Sequence, residues 1–69
     1  MPEAAVRWYD KALLVPGIDG ETRVALNYEL AAAYEAAGDK PSALKYFMEV
    51  YGNNIDYRDV AERIKALKS

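Results

Sequence analysis

Residues 24–51 read VALNYELAAAYEAAGDKPSALKYFMEVY, and the joint Gly38-Asp39-Lys40-Pro41 at their centre decides how the rest is folded. Gly38 supplies the left-handed residue on which a helix ends. Asp39 accepts from the first free amides of the next helix, and Pro41 sits in a first turn where no amide is missed. One helix therefore stops and another starts within the joint, and so short a connection makes the two antiparallel neighbours, an αα-hairpin. The helix before the joint is expected from an Asp19 N-cap, with Glu21 in its first turn, to about Ala37. Its apolar positions Val24, Leu26, Leu30, Ala31, Ala33, Tyr34 and Ala37, with Tyr28 beside them, cover more than one face. Such a helix is usually flanked on two sides. The helix after the joint, about Lys40 to Tyr51, carries Ala43, Leu44, Phe47, Met48, Val50 and Tyr51, and Gly52-Asn53-Asn54 is expected to end it.

Working outward, Glu3 to Val15 places Ala5, Trp8, Tyr9, Ala12, Leu13 and Val15 on one helical stripe, which Pro16-Gly17 stops. On the other side Asp56 is expected to cap a last helix, about Tyr57 to Lys68, with Asp59 at the third helical position as in a capping box. The apolar stripe there is narrow, Val60, Ile64 and Leu67. Arg58, Asp59, Glu62, Arg63, Lys65 and Lys68 read as a solvated face. Four helices with short joints, a doubly flanked one in the middle and a polar-backed one at the end, predict an all-α open stack of hairpins rather than a closed bundle. A stack should show an internal repeat. Ala43-x-x-x-Phe47 matches Ala5-x-x-x-Tyr9, and Ala12 corresponds to Val50, at an offset of 38 residues.

The middle of the chain reads Asn27-x2-Leu30-Ala31-x2-Tyr34, then Gly38-Asp39, then Ala43-x3-Phe47. This resembles the tetratricopeptide pattern W-x2-L-G-x2-Y, A-x3-F, P, whose period is about 34 residues. The resemblance implies a short, TPR-like right-handed solenoid of antiparallel helical hairpins, about four helices in all. Residues 1–17 would be the second helix of a partial repeat, 24–57 one complete repeat, and 58–69 a capping helix. Departures are Asn27 for Trp, Ala31 for Gly and Ile55 for Pro, and four extra residues around Gly20 to Arg23 are expected to lengthen the first inter-repeat loop. In the last helix the equivalent places hold Ala61, Ile64, Lys65 and Lys68. Lysines where close packing wants a small residue and Tyr imply a polar stop. The pattern opens inside a helix, from which a longer parent chain is expected.

Composition narrows the function classes. A chain of 69 residues holds one small core. Cys and His are absent, which removes disulfides, thiolate and imidazole metal ligands and any near-neutral imidazole base. No Asp-rich calcium loop, phosphate-binding glycine loop or nucleophile elbow appears, and Glu29 and Glu35 lie on different helix faces, so neither enzymatic activity nor a cofactor is expected. With 9 basic and 11 acidic residues, net −2, nothing points to nucleic acid as a partner. No apolar run approaches a membrane span, so a soluble segment without membrane contact, cytoplasmic by default, is expected.

What remains is binding to protein or peptide. In the family resembled, the first helices of successive repeats line a concave groove. Carried over, the groove positions are Tyr28, Glu29 and Ala32, with Ala25 beside them, and Asp59, Glu62 and Arg63, with Ala66 beside them. Tyr28, an amphipathic ring between alanines, is either a stacking platform for a partner or part of the core. Chaperone-tail clamps of this family use Lys, Arg and Asn where this chain has Tyr28, Ala32 and Asp59, so that function is not implied. The aromatic stripes Tyr9, Tyr34 and Phe47 read as core. The alternative to a peptide-binding scaffold is a homo-oligomer formed through helix one, where Trp8 and Leu13 are expected to lack a neighbour.

Overall fold

The computed structural model describes residues 2–68, and of Pro2, Glu3 and Ala5 the backbone alone, so the Ala5 side of the repeat match lies outside the described side chains. Its architecture is all-α, four helices in chain order with no strand among the described residues: α1 Pro2–Leu13, α2 Gly20–Ala36, α3 Lys40–Asn53 and α4 Val60–Lys68.

The local signals account for most of these bounds. At the end of α1 the Leu14 and Val15 amides donate to Lys11 and Ala12 carbonyls three residues back, at 3.1 and 3.2 Å, so the helix tightens two residues before the expected Val15. The Asp19 carboxylate accepts from the Thr22 amide at 2.7 Å and caps α2. Gly20 to Arg23, which the family resemblance placed in a lengthened loop, form the first turn of α2, as the Asp19 cap implied.

At the α2–α3 joint Gly38 is left-handed, with φ +85°. Its amide donates to the Glu35 carbonyl and that of Asp39 to Tyr34, at 3.1 and 2.9 Å, the two bonds of a Schellman ending. The Asp39 carboxylate then accepts from Ser42, and Pro41 lies in the first turn of α3. Gly52 does not stop α3, which runs through it to Asn53. The Asn53 side chain donates back to the Glu49 carbonyl, and extended Asn54 forms the end.

The start of α4 departs furthest from expectation. Asp56 does not cap a helix at Tyr57. Residues 54–59 form turns closed by Tyr57 N–H to Asn54 and Val60 N–H to Tyr57, Arg58 adopts φ +46°, and the helix begins only at Val60. The residues of the expected cap are engaged elsewhere: Asp59 accepts from the Tyr28 hydroxyl, and Arg58, at positive φ, lies over the Tyr28 ring.

Each helix packs on the next, α1 on α2, α2 on α3 and α3 on α4, so α2 is flanked on two sides as its all-round apolar pattern implies. Val24, Tyr28 and Ala31 of α2, Ala43, Phe47 and Val50 of α3, and Val60 of α4 form one core. Leu30 is fully buried but outside that cluster, which leaves the α1 side of α2 as its place. The principal extents are 36 × 27 × 15 Å, a slab about as thick as a helix with its side chains is wide.

Candidate functional site

Six side chains were expected to line one face; Tyr28, Asp59 and Arg63 meet, and Glu29 joins them through Arg58. Tyr28, just over half a turn from Leu30 on the opposite flank of α2, points at the segment leading into α4, where its hydroxyl donates to Asp59 Oδ1. The ring meets Phe47 edge-on at 5.4 Å and Tyr57 at 5.6 Å, and the Arg58 guanidinium lies 4.5 Å above it. With only 4% of its surface exposed, Tyr28 is a core residue and not a stacking platform open to a partner. The positive φ of Arg58 is what swings its side chain over that ring.

Arg63, one turn into α4, donates from Nη1 to Glu35 Oε1 at 2.7 Å, across to the far end of α2. Its Nε lies 3.4 Å from Asp59 Oδ2, an ion-pair approach without hydrogen-bond alignment, and its guanidinium stands 5.6 Å from the Phe47 ring centre. Arg58 reaches Glu29 at 3.5 Å in an exposed pair of small energetic weight. The solvated-face reading is corrected for Arg63 alone, which is half-buried and ties α4 to α2, while Arg58 is exposed as expected. Ala32 is half-buried and Glu62 is exposed.

The electrostatics follow from these contacts. Burial pushes the Tyr28 hydroxyl above its ordinary range and the hydrogen bond to Asp59 adds to that. The same hydrogen bond holds the Asp59 carboxyl below the usual carboxylate range, with Arg63 and Arg58 nearby helping. Arg63 is held more firmly protonated, first through Tyr28 and then through Glu35. Both members of the Tyr28–Asp59 pair are thus moved away from neutrality, so they hold a fixed hydrogen bond at neutral pH. The strip between α2 and α4 accordingly presents acceptors at Glu29, Glu35 and Asp59 alternating with donors at Arg58 and Arg63. Its chemistry is hydrogen bonding and ion pairing.

Sequence reasoning did not find Glu35 and Tyr57 as parts of this strip. The available signal was weak: two acids on α2, Glu29 and Glu35, matched by two arginines, Arg58 and Arg63, some 28 or 29 residues later. Among the described residues no group of three or more His, Cys, Asp or Glu converges to hold a metal ion, and no helix is long and apolar enough to cross a membrane.

The helix-one candidates divide. Trp8 is 70% exposed, whereas Leu13 is half-buried and its neighbour Leu14 is the exposed one. The turn that ends α1 rotates Leu14 and Val15 outward and leaves Leu13 on the inward stripe. Compared with protein-family models, with curated proteins and with solved structures, the chain matches none of them.

Proposed function

We propose that this chain is a short tetratricopeptide-type stack of helical hairpins that binds a segment of another polypeptide along the strip where α2 faces the α4 end. The observation that carries this reading is the meeting of Tyr28 and Glu29 of α2 with Asp59 and Arg58 of the turn before α4, which Arg63 of α4 joins through Asp59. Tyr28 acts from beneath as a strut that holds Asp59 in place. The groups that meet a partner are Glu29, Arg58, Glu35 and Arg63, half-exposed and already paired, so a bound segment exchanges its own charged and amide groups for internal partners. Such exchange gives orientation and specificity more than raw affinity. Ala32 leaves room for the partner's backbone between the two charged pairs.

The test is selection of peptides from a displayed library against the immobilised chain, followed by affinity measurement on two variants. Ala32→Arg fills the strip without removing a tie and is expected to weaken the selected peptide by tenfold or more, about 1.4 kcal/mol. Glu49→Lys, exposed on α3, is expected to leave it unchanged. A peptide indifferent to Ala32→Arg does not bind on the strip, and the reading then fails.

A further inference from the structure

The first turn of α2 and the last turn of α3 enclose an open cleft of about 500 Å³, beside the strip between α2 and α4. Gly20 and Glu21 line it from the α2 side and Asn53 and Asn54 from the α3 end, while Val24 and Tyr57 give it apolar surface. Val24 belongs to the core and Tyr57 packs against it, so that surface is fixed from behind.

The electrostatics of the cleft favour a cation. Glu21 is exposed and has no hydrogen-bond or ion-pair partner among the described residues. The last turn of α3 holds neither Lys nor Arg, so the negative end of that helix lacks the basic side chain that would complement it. The Asn54 amide closes onto the Val50 carbonyl at 2.8 Å, and among the described residues the carbonyls of Tyr51, Gly52 and Asn53 receive no backbone donor. Donation from Asn53 Nδ2 to the Glu49 carbonyl leaves the Oδ1 of that side chain as a further acceptor. The positive end of α2, by contrast, is already covered by the Asp19 carboxylate. The chain's own neighbouring arginines are engaged elsewhere: Arg23 reaches the Leu13 carbonyl at 3.5 Å on the α1 side, and Arg58 lies over Tyr28 and against Glu29.

We propose that this cleft receives the guanidinium of an arginine side chain from a bound polypeptide. A guanidinium forks onto a carboxylate, directs its remaining N–H groups at nearby oxygens and lays its flat face on an aromatic ring. Glu21 supplies the carboxylate, Asn53 and the α3 carbonyls the oxygens, and Tyr57 the ring. On α2 the site stands one to two turns before Tyr28, so a segment lying along the strip reaches it without a break. That the arginine belongs to a polypeptide rests on the reading of the strip; recognition of the guanidinium does not.

Two-dimensional NMR of the isotope-labelled chain tests the site, with N-acetyl-arginine amide as the probe and N-acetyl-citrulline amide as its uncharged isostere. At millimolar concentration the arginine compound is expected to shift the amide signals of Glu21, Asn53, Asn54 and Tyr57, and the citrulline compound is not. Glu21→Gln, at an exposed position and so expected to keep its helical circular dichroism, should weaken binding by about fivefold, the worth of one exposed charge pair. Asp10→Asn, which removes the same charge from α1, should leave it unchanged. Free arginine, whose carboxylate is repelled by Glu21 and the α3 carbonyl end, should bind more weakly than the capped compound. Shifts that are absent, equal for the two capped compounds, or undiminished in Glu21→Gln overturn the proposal, and tighter binding of free arginine overturns the polypeptide as its source. A selected peptide sensitive to Ala32→Arg, with capped arginine binding nowhere, removes the cleft and keeps the strip. Capped arginine seated in the cleft, with every selected peptide indifferent to Ala32→Arg, removes the strip and keeps the cleft.

Discussion

Tyr28 and Asp59 shift each other's titration in opposite directions, and the pair is therefore a built-in pH window. Asp59 is held below the usual carboxylate range, so its contribution to stability is present above that range and is lost as pH falls through its depressed value. Tyr28 is held above its ordinary value, so its contribution is present at neutral pH and is lost as pH rises through that value. The prediction concerns Tyr28→Phe, which keeps the ring against Phe47 and Tyr57 and removes only the hydroxyl. Its urea midpoint, followed by circular dichroism, should lie below that of the parent chain at neutral pH. The difference should vanish in acid and reverse once Tyr28 ionises beside the carboxylate. A difference independent of pH would mean that the hydroxyl stabilises through packing alone. From the chain alone Tyr28 stood out by residue type, but groove and core readings were equally open, since its hydroxyl's partner lies 31 residues away.

At the scale of elements, two glycines with the same sequence reputation behave differently. Gly38 is left-handed, and a Cβ there meets no atom but forces a side chain into a conformation that costs roughly 1–2 kcal/mol. Gly38→Ala should therefore destabilise by about 1 kcal/mol. Gly52 lies inside α3, without a positive φ and with nothing within 4 Å of an added Cβ. There the only effect is the backbone freedom a glycine loses on folding, so Gly52→Ala should stabilise by roughly 0.5–1 kcal/mol. Thermal unfolding of the two variants checks both signs, and equal shifts would show that the helix does not pass through Gly52. The caps at Asp19 and Asp39 and the Schellman ending at Gly38 were legible because every bond in them spans five residues or fewer. The start of α4 was not. Asp56 and Asp59 offer a good local capping pattern, but Asp59 binds the Tyr28 hydroxyl of α2 instead.

For the whole molecule, a slab in which each helix packs on the next has its stability concentrated where both flanks are covered. α2 and α3 are sandwiched, while α1 and α4 are each packed on one side among the described residues. Native-state hydrogen exchange is predicted to be slowest in the middle turns of α2 and α3, around Leu30 and Phe47, and faster by stages through α4 and α1. Uniform protection across all four helices would mean that the stack opens only as one unit. The chain by itself determined the number of helices, the α2–α3 joint and the two-sided burial of α2, because helix periodicity, caps and glycine endings are properties of neighbouring residues. Only the tertiary structure decided that Tyr28 is core, that Arg63 is a half-buried tie to α2 and not part of a solvated face, and that α4 begins at Val60. Each of those depends on side chains 28 to 31 residues apart, and their meeting is set by how helices stack, which no local pattern encodes.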